Sequence, residues 1–98
     1  MIKMIVLPKD DMKKQDVLSR IASRFKEARN YSEDEVSEII NSSDVDDYAL
    51  VRRELVNFNY LGKDTAKGIY WLKKKKLSED DLLKIRKNQE RMENRGVY

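Results

Sequence analysis

The sequence predicts a mainly α-helical α+β fold, with a small β-hairpin between its third and fourth helices. Three observations predict it, all between Tyr31 and Leu72. Ser32 followed by Glu35 forms a capping box, and Val36, Ile39 and Ile40 continue it at helical spacing. Asp44, Asp46 and Asp47 then supply cap and first-turn acids for a second helix, in which Val51, Leu55 and Phe58 share a side. Two β-type runs follow, Asn59-Tyr60-Leu61 and Ile69-Tyr70-Trp71-Leu72, separated by the Lys63–Gly68 turn. Helix, turn, helix and hairpin is the order of a winged helix–turn–helix.

Taken in order, Met1–Leu7 reads as a short strand or ordered arm stopped by Pro8, and pairing with the hairpin is the arrangement a winged helix suggests for it. Its apolar part, Met4–Leu7, is too short for a signal peptide or a membrane span. Lys9–Ala28 is the first helix, with Val17, Leu18, Ile21, Ala22 and Phe25 as its core stripe and Lys13, Lys14, Ser23, Arg24 and Glu27 on a solvated face. The second helix runs from about Glu33 to Asn41, and Asn41–Asp44 is the turn. The third, about Asp46 to Asn57, is the recognition helix of such a fold. With Val51 at the centre of its core face, rotation by about 100° per residue puts Tyr48, Leu55 and Phe58 beside it. The same rotation sends Asp46, Ala49, Arg53 and Val56 outward and leaves Arg52 on the shoulder. In the hairpin, Trp71 rather than Tyr70 is expected to pack on the helices, the two pointing to opposite faces. Ser78-Glu79-Asp80-Asp81 opens a last helix with a seam of Leu82, Ile85, Gln89 and Met92. Residues 1–76 form the winged domain and residues 77–98 a charged helix for docking or dimerisation, with the dimer favoured.

The bulk composition sets limits. The chain has 98 residues, enough for one domain with a modest core. It holds no Cys and no His, so it has no disulfide framework, no thiolate metal site and no imidazole base. Lack of Cys fits a reducing cytoplasm, the location expected. The net charge of +3 is unevenly spread. Residues 1–30 carry eight basic and four acidic groups, residues 31–58 two and eight, residues 59–72 two and one, and residues 73–98 nine and five. The expected reading element is therefore acidic, which opposes phosphate contact.

The candidate DNA-binding residues are Arg52 and Arg53 on the third helix, Lys63 and Lys67 in the hairpin, and the run Lys73, Lys74, Lys75 and Lys76 behind it. Each has a structural alternative. Arg53 could pair with Asp46 on the surface. Glu54 could orient either arginine or cap a backbone group. Lysines at a hairpin tip are ordinary loop residues, and a run of four lysines is a common solvated connector. The aspartates at 44, 46 and 47 could hold a cation, but helix capping explains them more simply.

Tyr31-Ser32-Glu33-Asp34-Glu35-Val36, Asp47-Tyr48-Ala49-Leu50-Val51-Arg52-Arg53-Glu54-Leu55-Val56, Lys63-Asp64 and Gly68-Ile69-Tyr70-Trp71 together resemble the bacterial domain-of-unknown-function family 2087. Leu7-Pro8-Lys9 and Arg24-Phe25 extend the likeness to roughly residues 5–72. Val51 stands where leucine is usual, and Gly62 where a basic residue is usual. Members stand alone or are appended to transcriptional regulators, so the resemblance implies a link to transcription control. It carries over Asp47, Arg52, Arg53, Glu54, Tyr70 and Trp71 as motif positions without assigning them an activity, and it leaves the helix after Leu77 uncovered.

The expected function is a small winged-helix regulator that binds double-stranded DNA. The alternative is a protein-interaction module on the same scaffold, whose acidic helices would suit a basic partner. A homodimer is a further expected association. No cofactor, metal, membrane association or enzymatic activity is expected.

Overall fold

The computed structural model describes residues 4–95, with side chains up to Gln89. The elements are α1 (Asp11–Ala22), β1 (Asn30–Ser32), α2 (Glu33–Asn41), α3 (Tyr48–Asn57), β2 (Leu61–Asp64), β3 (Ile69–Leu72) and α4 (Glu79–Arg95). This α+β arrangement, a helix–turn–helix followed by a hairpin, is consistent with a winged-helix-like fold.

Local chemistry fixes most boundaries. The Ser32 hydroxyl accepts from the Glu35 N–H at 3.1 Å, and the Glu35 carboxylate accepts from the Ser32 N–H at 3.0 Å, so the capping box starts α2. Asp47 caps α3 by accepting from the Leu50 N–H at 3.0 Å. That single cap starts the helix at Tyr48 rather than Asp46. The α3 C-terminus is closed by Asn59, whose left-handed φ of 66° lets the Asn59 N–H reach the Val56 carbonyl and the Tyr60 N–H reach the Leu55 carbonyl. This is a Schellman closure. It corrects the expected strand Asn59-Tyr60-Leu61: the first two residues end the helix, and the strand begins at Leu61.

α1 is shorter than its apolar period suggests. Asp10 caps it through the Met12 and Lys13 N–H groups, and it ends at Ala22. Phe25 stays in the core after one further turn and meets Tyr31 edge-on, with ring centroids 5.1 Å apart. The chain then turns at Ala28, which has a positive φ, and enters β1. β1 has only three residues and was not legible as a strand. It lies beside β3, so the antiparallel sheet runs β1-β3-β2, pairing Tyr31 with Tyr70 and Gly62 with Trp71.

That register decides the aromatic pair against expectation. Tyr31, Leu61, Tyr70 and Leu72 share the sheet face turned to the helices, and Tyr70 is buried there. Trp71 lies half-buried on the outer face, over Gly62. Tyr48 is a second correction: it is 42% exposed, at the first position of α3 directly after the Asp47 cap. The N-terminal arm pairs elsewhere than with the hairpin. Ile5 forms a parallel bridge with Val45 in the turn between α2 and α3, exchanging hydrogen bonds with Asp44 and Asp46; residues 1–3 lie outside the described residues.

The core is one cluster of apolar side chains from every part of this frame, including Leu18, Phe25, Val36, Ile40, Val51, Leu55 and Tyr60. Each such side chain, taken out of water, contributes about 1.5–3 kcal/mol. Within it, Gln15 is a buried polar residue, and its carboxamide oxygen accepts from the Tyr60 hydroxyl at 2.8 Å.

α4 packs on α1. Leu82 and Ile85 lie against the core, and the Gln89 amide donates to Asp10 at 2.8 Å. These three seam residues dock on their own domain, the less favoured of the two expected uses. Met92 lies outside the residues whose side chains are described.

Candidate nucleic-acid interface

An open groove of about 350 Å³ runs between α3 and the hairpin, lined by Ala49, Arg52, Arg53, Val56, Lys63 and Tyr70. None of the lining residues is acidic. Ala49, Arg53 and Val56 share one face of α3 at spacings of four and three. Lys63 faces them from β2, because its partner across the ladder is Tyr70 and both point to the helix side of the sheet. The Lys63 ammonium sits 5.4 Å from the Tyr70 ring centroid, which holds it against the groove wall.

The two arginines have different surroundings. Arg52 is tied down. Its guanidinium donates to the Ser37 hydroxyl at 2.7 Å, lies 3.4 Å from the Glu33 carboxylate, and approaches the exposed Tyr48 ring. It braces α3 against α2. Arg53 is exposed and forms no ion pair among the described residues, so the suggested pair with Asp46 is not made. Glu54 orients neither arginine. It turns to Lys14 at 3.7 Å and to the Asn57 amide. Lys14, assigned from the sequence to a solvated face, is instead only 15% exposed between Asp11 and Glu54, near the Phe58 ring.

The remaining candidate lysines divide between the two ends of the hairpin. Lys67 is at the tip, in a turn closed by the Gly68 N–H on the Asp64 carbonyl and shaped by the positive φ of Gly68. Lys73 to Lys76 leave from the root, where the Lys73 and Lys74 N–H groups donate to the Tyr60 carbonyl. Lys74 is paired with Asp81 at 2.9 Å, and Lys76 borders a separate cleft with Gln15, Tyr60, Leu77 and Leu82. The fold thus brings Arg52, Arg53 and Lys63 into one groove and leaves the lysine run outside its lining. Ala49, Val56 and Tyr70 were not among the expected site residues. The signal for the first two was their position on the outer face of α3 beside Arg53.

Much of the acidity of residues 31–58 is engaged. Glu33 pairs with Arg52, Glu54 with Lys14, and Asp47 caps α3. Glu35 is held below its ordinary carboxyl pKa, first by the Ser32 N–H and also by Arg29, 2.7 Å away. At α4, hydrogen bonds from Lys74 and Ser78 bring the Asp81 pKa down to about 2. Among the described residues no group of three carboxylates is arranged to hold a metal ion, and no helix is long and apolar enough to cross a membrane.

No curated protein and no solved structure matches the chain. A family model, described as "Uncharacterized protein conserved in bacteria (DUF2087)", matches residues 3–72, close to the span of the resemblance noted in the sequence. The matched segment runs from the N-terminal arm through β3 and so contains the whole groove, while the lysine run and α4 lie beyond it. By that match over most of its length, the chain belongs to the DUF2087 family of bacterial proteins.

Proposed function

We propose that this protein binds double-stranded DNA through the groove between α3 and the hairpin, and acts as a small transcriptional regulator in the bacterial cytoplasm. The observation that supports this best is the convergence of Arg52, Arg53 and Lys63 on a groove with no acidic lining residue, despite the acidic segment that supplies α3. Arg53 is free to reach a base edge, and Lys63 and Lys67 suit phosphates on the flank. Arg52 acts as a positioning residue through Ser37 and Glu33. The exposed members of the Lys73–Lys76 run add a sequence-independent attraction. No catalytic role is assigned to any residue.

The test is titration of labelled random duplex DNA at low and moderate salt. Binding should weaken with salt at a logarithmic slope of about −0.9 per phosphate contact, and Lys63→Ala together with Arg53→Ala should reduce both affinity and slope. Absence of binding at low salt, or binding indifferent to the double variant, would overturn the reading.

One observation favours a second reading. Asp34, Glu38, Asp44 and Asp46 are exposed on α2 and the following turn, an acidic surface suited to a basic protein partner. Retention of such a partner together with failure to bind duplex DNA would make a protein-interaction module the better description. The seam residues Leu82, Ile85 and Gln89 contact their own domain and stay partly exposed.

A further inference from the structure

We propose that the groove reads a guanine through Arg53 and thymine methyl groups on both sides of it through Ala49 and Val56, an inference that rests on the duplex-binding reading above. The preferred target is then a G·C pair with A·T pairs within about two base pairs on either side.

The three cations of the groove differ in how free they are to read a base. Arg52 is committed to Ser37 and Glu33, and Lys63 lies over the Tyr70 ring on the hairpin wall. Arg53 is the remaining cation of the groove, and it is exposed. A guanidinium matches the O6 and N7 acceptors of guanine with two parallel N–H donors, whereas adenine offers N7 beside an N–H donor and repels the second arm. Guanine is therefore the base an unencumbered arginine selects.

The flanking preference comes from the same helix face. Ala49 lies four residues before Arg53 and Val56 three residues after it, and both line the groove. At about 1.5 Å per residue they stand about 6 Å and 4.5 Å along the axis from Arg53. Base pairs are spaced about 3.4 Å apart, so each side chain falls one to two base pairs from the guanine. Neither can donate or accept a hydrogen bond. In the major groove the apolar feature within reach of a methyl or isopropyl group is the C5-methyl of thymine. A polar base edge opposite Val56 would be desolvated without a partner, which disfavours it.

The test is selection of binding sites from a randomised duplex library by the full chain, followed by titration of the enriched site with single-atom base analogues. Wild type should enrich a guanine flanked by thymines. Replacing that guanine by 7-deazaguanine should weaken binding about tenfold or more, and replacing the flanking thymines by deoxyuridine should weaken it severalfold. Arg53→Ala should retain salt-dependent binding, lose the guanine preference and become indifferent to 7-deazaguanine. Val56→Ala should become indifferent to deoxyuridine on its side. The analogue series on the wild-type chain alters only the DNA, so that arm of the test does not depend on how a variant folds. Salt-dependent binding with no base preference, or a guanine preference that survives Arg53→Ala, would overturn this assignment and leave duplex binding standing. No binding to any duplex would overturn both.

Discussion

Gly62 offers a sharp test of how the sheet is built. It is buried opposite Trp71, and a Cβ placed on it would overlap the indole ring at Cε2, Cζ2 and Nε1. Alanine would ordinarily be the better strand residue, by about 0.5–1 kcal/mol. Here the added methyl has to displace a half-buried indole, and overpacking of that kind costs about 1–3 kcal/mol. The net expectation for Gly62→Ala is a loss of about 1–2 kcal/mol, hence a melting temperature lower by about 5–15 °C in a domain of this size. Trp71 is the only tryptophan, so its fluorescence reports directly on the displacement. Emission should shift to the red as the ring moves into water, and Trp71→Leu should recover most of the loss in a double variant. A Gly62→Ala protein that melts at or above the wild-type temperature with unchanged emission would refute the placement of Trp71 on Gly62.

Three further outcomes follow from the same frame. Tyr60→Phe should cost about 1–2 kcal/mol by thermal or urea unfolding, since it leaves the buried Gln15 oxygen without its donor; a neutral substitution would show that the 2.8 Å bond does not stabilise the fold. Arg52→Ala should lower stability by about 1 kcal/mol, and Arg53→Ala should leave it within about 0.5 kcal/mol, because only the first holds α3 to α2; equal effects in a melting experiment would erase the division of labour between them. The Asp81 carboxyl titrates lower in the folded chain, at about 2, than its ordinary 3.8, so the stability it confers is present above about pH 4 and lost as the pH falls towards 2. Melting temperatures measured down this range should fall more steeply for wild type than for Asp81→Asn, and parallel curves would refute a role for the Lys74–Asp81 contact.

The parts of the fold legible in the sequence are those governed by neighbours along the chain. Ser32 and Glu35 specify the start of α2 without help from the rest of the molecule, and Ile69–Leu72 is a strand by its own composition. The sequence misled where a choice belonged to tertiary structure. Asn59-Tyr60 has strand-like neighbours, yet the left-handed asparagine closes a helix. β1 is three residues with no alternation to see, and it exists because β3 offers an edge. Once β1 had paired, the register put Tyr70 inward and Trp71 outward, which no local rule could decide. At the groove, the outward position of Arg53 followed from helical rotation alone. The restraint on Arg52 did not, because Ser37 and Glu33 are 15 and 19 residues away and meet it only when α2 and α3 pack.

Tyr60 has a place in this architecture that becomes clear once it is treated as a mechanical joint. Its N–H closes α3, its carbonyl receives the chain leaving the hairpin at Lys73 and Lys74, and its hydroxyl grips α1 at Gln15. Lys74 in turn is anchored to Asp81 in the first turn of α4. α4 supplies no residue to the groove, yet it is linked by a short series of bonds to the residue that ends the helix carrying Arg53.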